Sequence, residues 1–211
     1  MNRFVLTLIC ALLYSLAFVG RSETSAIHIP IQQISTDNGL SHTTVLSIYR
    51  DEFGFVWIGT TDGLNRFDGH SVTTFRYDSE DDTSIKANNI TEICGNGNGL
   101  IYIKGQKCLI SYDLRKERFK TIHEDGINAI TYSNGLHYAS GNMVFRINPD
   151  NSEECIYKHN EPTHISTIRV IRFDTEGNMF IATSSNDIIR VSPDGSQRKF
   201  RFENIYSLDT D

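Results

Sequence analysis

The stretch "VLSIYRDEFGFVWIGT", residues 45–60, decides the fold because it returns along the chain. The segment "IRVIRFDTEGNMFIAT", residues 168–183, aligns with it without a gap, and Gly54 then falls on Gly177. The two segments share an alternation of apolar residues, an acidic turn with a glycine, and a second apolar run that ends in Thr. This self-similarity predicts an architecture built from stacked copies of one unit.

Weaker copies of the same pattern lie between these two segments. They are "ITEICGNGNGLIYIKG", residues 90–105, and "INAITYSNGLHYASG", residues 127–141, the latter with a deletion of one or two residues before Tyr138. The last seven residues, "IYSLDTD" at 205–211, open the pattern once more. The unit is therefore repeated along nearly all of the chain after its N-terminal segment.

The spacing of the copies identifies the architecture. They begin near residues 45, 90, 127, 168 and 205, a period of about 40 residues that is typical of four-stranded propeller blades. Helical repeats of that length need apolar residues at a 3.6-residue spacing, and no long segment shows it. The sequence predicts an all-β fold in residues 27–211: a β-propeller of four-stranded antiparallel blades, with about four blades and the first strand of a fifth, forming an incomplete ring.

Within each unit, the turns and one aromatic residue have a predicted structural role. Asp51 can bond its own backbone, and Gly54 can take a positive φ, so residues 51–54 form a tight turn between two strands. A large aromatic side chain follows in the second strand of each unit: Trp57, Tyr102, Tyr138 and Phe180. Because propeller blades pack face to face, we expect these rings in the core between blades rather than in a sugar-stacking site.

The N-terminal segment has the pattern of a secretory signal peptide. Arg3 precedes an uncharged run from Phe4 to Val19, and small and polar residues follow it, so residues 1–26 form the predicted signal peptide with cleavage between about 20 and 26. A single-pass anchor is the alternative, although the run is shorter than the roughly 20 residues of a membrane span. Either interpretation takes the rest of the chain out of the cytoplasm.

The cysteines and histidines predict neither a disulfide framework nor a metal site. Outside the leader, the chain has Cys94, Cys108 and Cys155, an odd number without a CxxC spacing, so we interpret them as small packing residues. The seven histidines form no HExxH or other close ligand pair. No phosphate-binding glycine loop is present either, and we expect no metal and no cofactor.

Residues 37–75, "DNGLSHTTVLSIYRDEFGFVWIGTTDGLNRFDGHSVTTF", resemble the two-component regulator propeller repeat. The marks of the resemblance are Gly39-Leu40-Ser41 before the first strand, Asp51 and Gly54 in the first turn, the run Trp57-Ile58-Gly59-Thr60, and the elements Gly63-Leu64 and Phe67-Asp68-Gly69. A match of this length is specific, whereas a lone WIGT would not be. It is strong at 37–75 and 168–183 and weaker at 90–146.

The resemblance implies a function. It is to the N-terminal periplasmic sensor region of hybrid two-component histidine kinases, whose propellers commonly detect oligosaccharides released from glycans and switch on transcription. By that resemblance the chain is periplasmic, and its parent protein is anchored in the inner membrane as a homodimer. The remainder of the parent's ectodomain is then a partner of this chain. The chain ends after four units, with no kinase of its own, so we interpret it as a fragment that is not itself an enzyme.

Composition and loop residues define where a ligand is expected. The formal net charge of −6 gives no reason to expect nucleic acid as a partner. In a propeller, the loops that enter the inner strands converge with the turns between second and third strands on one face. Polar residues in these loops suit the hydroxyl groups of an oligosaccharide, and they are His42, Thr43, Thr44, Asp62, Asn88, Asn89, His164, Ser166 and Thr167.

Two other functions remain open from sequence. An exported propeller enzyme that acts on polysaccharide needs an acid/base pair on the same face, but the carboxylate pairs Asp81-Asp82 and Glu153-Glu154 are expected in solvated loops. No residue is therefore predicted to be catalytic. A propeller used only for protein–protein contact is the second alternative, and it predicts no small ligand.

Overall fold

The chain folds into four sheets of four antiparallel strands each in a computed structural model that describes residues 33–160 and 166–201. A short 3₁₀ helix, Thr36–Asn38, precedes the first sheet. The strands of the first sheet are β1 (Val45–Arg50), β2 (Val56–Thr60), β3 (Gly63–Phe67) and β4 (Val72–Phe75). Those of the second are β5 (Glu92–Gly95), β6 (Leu100–Lys104), β7 (Leu109–Asp113) and β8 (Arg118–His123).

The other two sheets repeat this meander. The third contains β9 (Ile127–Tyr132), β10 (Leu136–Ser140), β11 (Met143–Ile147) and β12 (Glu153–Lys158). The fourth contains β13 (Ile168–Phe173), β14 (Met179–Thr183), β15 (Asp187–Val191) and β16 (Gln197–Arg201). In each sheet the strands are hydrogen-bonded in chain order, so every sheet is one propeller blade.

The inner strands connect the blades in series: β1 contacts β5, β5 contacts β9, and β9 contacts β13. The predicted all-β propeller with four-stranded antiparallel blades is thus confirmed. The predicted signal peptide, residues 1–26, and the predicted opening of a fifth blade, residues 205–211, lie outside the described residues. In the part of the chain that the structure describes, no helix has the length and apolarity to span a membrane.

The first turn of the repeat is organised by one buried carboxylate. Asp51 Oδ1 accepts hydrogen bonds from the backbone N–H groups of Phe53 and Phe55, each at 3.0 Å. Its Oδ2 accepts a 2.7 Å bond from the indole Nε1–H of Trp57. The predicted turn chemistry is therefore present, and it also orients the aromatic residue of the next strand. Asp174 bonds the backbone of the fourth blade's turn in the same way, with the Asn178 amide in place of the indole.

Trp57 lies fully buried between the first and second blades. Its ring is 5.3 Å from that of Tyr112 on β7 and 5.9 Å from that of Phe75 on β4. We call the side of a blade that packs against the following blade its forward face, and the other side its backward face. The expectation that Trp57 belongs to the inter-blade core is confirmed.

In the third blade, however, the aromatic residue aligned with Trp57 from the sequence has the opposite orientation. The strand register pairs Tyr49 with Trp57 in the first blade and Thr131 with His137 in the third, so His137 takes the position of Trp57. The His137 ring packs 4.6 Å from Phe173 of the fourth blade. Tyr138 points back towards the second blade, where its ring lies 4.8 Å from that of His123. The turn between the paired residues Tyr132 and Leu136 is two residues shorter than the turn between Arg50 and Val56, whereas aligning Tyr138 with Trp57 assumes a deletion of one. This difference of one residue places Tyr138 on the opposite face of the strand.

Gly39-Leu40-Ser41 is held against the backward face of the first blade by Asn65, whose side chain is fully buried. Asn65 Oδ1 accepts bonds from the Ser41 backbone N–H and the Thr74 hydroxyl, and Asn65 Nδ2 donates to the Ile58 carbonyl and Ser41 Oγ. Asn65 thus connects two marks of the repeat that are distant in sequence, Gly39-Leu40-Ser41 and Trp57-Ile58-Gly59-Thr60, by hydrogen bonds.

Glu153 and Glu154, expected in a loop, begin strand β12 instead. Glu153 Oε1 is 2.8 Å from His123 Nε2, and Glu153 Oε2 accepts a 2.6 Å bond from the Tyr138 hydroxyl. The expectation of a loop was wrong for this pair, whereas both residues are exposed as expected. The Glu153 carboxylate also bridges two neighbouring blades.

Candidate functional site

One face of the propeller, which we call the loop face, carries the loops that enter the inner strands and the turns between second and third strands. Backbone hydrogen bonds join these segments in pairs: Gly63 N–H to the Asn88 carbonyl at 2.7 Å, and Ile127 N–H to the Lys107 carbonyl at 2.9 Å. In the fourth blade, Ser184 N–H bonds the Thr167 carbonyl at 2.8 Å. The predicted site residues that the structure describes all lie on this face.

His42 is held in place by its own loop. Its Nδ1 accepts a 2.9 Å bond from the Thr44 backbone N–H and lies 2.9 Å from the Thr61 hydroxyl. The intervening Thr43 and Thr44 are exposed. This nitrogen therefore organises the entry to β1, and Thr43 and Thr44 are the members of the loop that solvent or a ligand reaches.

Asp62 and Asn88 also have structural partners. Asp62 Oδ2 forms an ion pair with Arg76 at 3.2 Å, with both side chains about half exposed. Asn88 Oδ1 accepts a 2.7 Å bond from the Tyr77 backbone N–H, while its carbonyl bonds Gly63. These contacts fix the long loop between the first two blades against the turn of the first blade.

The candidates of the fourth blade form a separate group. Ser166 is fully buried, and its hydroxyl lies 2.9 Å from that of Ser185. The Thr167 backbone N–H donates to Ser184 Oγ at 2.9 Å. His164 lies outside the described residues. None of the hydrogen bonds or ion pairs within 33–160 and 166–201 connects this group with His42, Asp62, Asn88 and Asn89.

A cavity of about 440 Å³ opens on the loop face beside Asn88 and Asn89. It is bounded by Thr61 of the first blade, by the turn at 106–108 of the second, and by residues 124 and 125 at the entry to the third. The Asn89 Oδ1 atom is buried and accepts no hydrogen bond from any group in the described ranges. Because a buried amide oxygen without a partner is costly, Asn89 holds an acceptor beside the cavity that a hydroxyl donor could satisfy after rotation of the side chain.

The cavity wall also contains charged residues that the sequence did not predict, two positive and two negative. They are Lys86, Lys107, Glu124 and Asp125. Lys107 and Asp125 approach to 4.0 Å, and Lys86 lies 3.7 Å from Asp82. A wall with balanced charge and several amides fits an uncharged, hydroxyl-rich ligand better than an ion. These residues lie in the loops of the same face, and this position was the signal that could have identified them. The predicted set contained only uncharged residues and Asp62 from these loops.

Cys108 lines the same cavity, but it is not an activated nucleophile. Burial raises the pKa of its thiol, although nearby backbone N–H groups act in the opposite direction. The thiol is therefore protonated at neutral pH, and a thiolate is required for nucleophilic attack. Over residues 33–160 and 166–201, no group of three His, Cys, Asp or Glu side chains could hold a metal ion.

Comparison with known proteins finds a family match over a short part of the chain. Residues 39–62 match the family described as two component regulator propeller. A 48-residue segment is 50% identical to "Histidine kinase P4" of Formosa agariphila, over 23% of this chain and 4% of that protein.

Solved structures share the fold over most of the chain. The extracellular domain of a hybrid two-component system from B. thetaiotaomicron superposes with a TM-score of 0.68 and 23% identity, over 80% of this chain and 26% of that one. Virginiamycin B lyase from Staphylococcus aureus has a TM-score of 0.60 and 16% identity, over 76% of this chain and 56% of that one. The chain thus spans about a quarter of the first of these structures and a much smaller share of the kinase.

Proposed function

We propose that this chain, a propeller related to the extracellular domains of hybrid two-component systems, is part of a periplasmic sensor that binds a glycan-derived oligosaccharide on its loop face. In this proposal the parent protein is a membrane-anchored, dimeric histidine kinase, and ligand binding is transmitted to transcription. The chain itself binds and does not catalyse. Its leader, residues 1–26, directs its export.

The observation that carries the proposal is the loop-face cavity with the unbonded Asn89 oxygen. Its volume of about 440 Å³ lies in the range of small-molecule sites. Its wall is polar and balanced in charge, and the loops around it are held by the His42, Asp62 and Asn88 contacts. A site already fixed by its own hydrogen bonds binds a sugar with little further loss of conformational entropy.

The exposed inner edge of the first blade supports the proposal that the sensor contains a further part, which packs on this edge. Ile48 on the backward side of β1 is 67% exposed, whereas Ile130 and Ile171, at the same position in the third and fourth blades, are buried. A further part of the same ectodomain, packed on β1, would cover Ile48 as the preceding blades cover the other two.

Calorimetric titration of the chain with a panel of neutral oligosaccharides tests the proposal. We expect one member to release heat, and Asn89→Ala to weaken its binding about tenfold, since a hydrogen bond is lost in a desolvated site. Asn98→Ala, in an exposed turn on the opposite face of the propeller, is the matched control and should bind as the parent chain does. Absence of heat with the entire panel would favour a propeller used only for protein contact.

Product analysis of the same samples separates sensing from catalysis. The lyase similarity shows a shared fold at 16% identity and carries no activity to this chain. We expect each oligosaccharide to be recovered intact after prolonged incubation. Cleavage by the purified chain, lost in Asn89→Ala, would instead establish an exported propeller enzyme.

A further inference from the structure

A second and larger cavity lies between the second and third blades and opens on the side opposite the loop face. This inter-blade groove has a volume of about 760 Å³. Its lining includes Tyr102, Ser111 and Lys120 of the second blade and Tyr132 and Glu153 of the third. The groove shares no lining residue with the loop-face cavity.

The first two blades provide an internal reference for this junction, because there the same space is filled. Between them, the guanidinium of Arg66 lies over the rings of Phe55, Trp57 and Phe75 at 5.0–5.9 Å. Tyr112 and Phe119 complete the packing, with ring centroids 4.5 Å apart. Side chains can therefore fill a blade–blade junction in this protein, so the open groove at the second junction needs an explanation of its own.

Strand register shows which replacements open the second junction. Arg66 pairs with Trp57, and Ser111 pairs with Tyr102, so a serine stands where the first blade has an arginine. On the facing blade, the pair Tyr112–Phe119 is replaced by Ile147–Glu153. Smaller side chains and a carboxylate thus take the place of one arginine and two rings.

The groove also presents polar groups that the protein does not use. The rings of Tyr102 and Tyr132 are stacked, 5.9 Å apart and inclined by 9°. Within the described part of the chain, no hydrogen bond engages either hydroxyl, and no carboxylate pairs with Lys120. The acidic groups of the lining are already engaged, because Asp113 pairs with Lys116 at 3.1 Å and Glu153 with His123 and Tyr138.

We propose that the inter-blade groove binds a sugar that carries a carboxylate. The Lys120 ammonium would hold the carboxylate, and the hydroxyls of Tyr102 and Tyr132 would bond the hydroxyl groups of the sugar ring. Asp113 adds little repulsion to an incoming anion, because the Lys116 ammonium balances its charge. A volume of about 760 Å³ accommodates a disaccharide. This inference does not depend on the loop-face site, whose expected ligand is neutral.

Titration of the purified chain with digalacturonate and with its methyl ester tests the inference, since esterification removes the carboxylate charges and adds only a methyl group to each carboxyl. We expect the acid to bind and the ester to bind about tenfold more weakly, as a charge-assisted bond is lost. Lys120→Met keeps the aliphatic stem, removes the ammonium and should abolish the preference for the acid. Lys158→Met, which removes an exposed lysine of β12 that lines neither cavity, is the matched control and should leave the preference unchanged.

A second variant tests the groove itself. Ser111→Arg places at this junction the residue that fills the first one, and it should prevent binding of digalacturonate while the far-ultraviolet circular dichroism stays native. If that variant does not fold, Lys120→Met decides the question alone. No heat with digalacturonate, equal affinity for acid and ester, or equal effects of Lys120→Met and Lys158→Met would each overturn the inference.

Discussion

Replacing Asp51 with asparagine should destabilise the chain strongly, because Asp51 is buried although residues 52–54 of its turn are exposed. The amide keeps an oxygen for the backbone N–H groups of Phe53 and Phe55 but turns its NH₂ towards the indole N–H of Trp57. Two donors then face each other where a 2.7 Å bond stood, and both are buried. A hydrogen bond to a charged group contributes about 1.5–3 kcal/mol, so we expect Asp51→Asn to lower the free energy of unfolding by about 2 kcal/mol.

Urea unfolding followed by circular dichroism measures this loss, and heating should show a fall in Tm of roughly 4–8 °C for a chain of this size. Asp174→Asn is the matched control. Its partner is the Asn178 amide, which can exchange its nitrogen and oxygen by rotation, whereas an indole cannot. We expect the control to cost less than about 1 kcal/mol.

A double-mutant cycle with Trp57→Phe isolates the contact. In the phenylalanine background the opposed donors are gone, so Asp51→Asn should cost markedly less than in the parent chain. An equal cost in both backgrounds, or a cost equal to that of Asp174→Asn, would refute the role given to the carboxylate–indole bond.

Three further perturbations test the packing of the blades. Asn65→Leu removes five hydrogen bonds of a fully buried amide and should lower the free energy of unfolding by about 2–3 kcal/mol in urea. It should also expose residues 36–41 to limited proteolysis, and an unchanged cleavage pattern would contradict the anchoring role. Gly59→Ala would put a Cβ atom into Ser47 Oγ and 2.8 Å from Ile90, so we expect a loss of about 1–3 kcal/mol in the free energy of unfolding by chemical denaturation. A neutral result would show that β2 does not pack this closely against the segment before β5. Burial lowers the pKa of His137 from 6.5 to about 4, so on acidification the unfolded chain binds this proton at a higher pH than the folded chain does. The resulting contribution to stability, about 3 kcal/mol, is complete above pH 6.5 and is lost as the pH falls towards 4. His137→Gln should remove that part of the pH dependence of Tm in thermal scans.

The repeat made the fold predictable because its signals are local. The Asp51 turn, the glycines with positive φ and the strands β1 and β2 each depend on residues close in sequence, and all are present in the structure. It was not predictable in the same way that His137, and not Tyr138, takes the position of Trp57 in the third blade. A deletion of one or two residues leaves the face of the following strand undecided, and only the hydrogen-bond register resolves it.

The candidate site was predictable to its face but not to its contacts. Propeller topology brings His42, Asp62, Asn88 and Asn89 to the loop face, and the structure places them there. Which polar groups are already bonded depends on distances across blades, and these separate Asn88, whose oxygen is engaged, from Asn89, whose oxygen is free. The inter-blade groove depends on side-chain volumes at facing strands, which no local pattern reveals.

Hydrogen–deuterium exchange of the chain with and without a bound neutral oligosaccharide tests the central claim most directly. Ligand binding at the loop-face cavity predicts slower exchange in residues 84–89, 105–108 and 124–126, with no change at 114–120 and 132–136 on the opposite side. Protection confined to the opposite side, or no protection by any oligosaccharide, would contradict the assignment of the loop face as the sensing site.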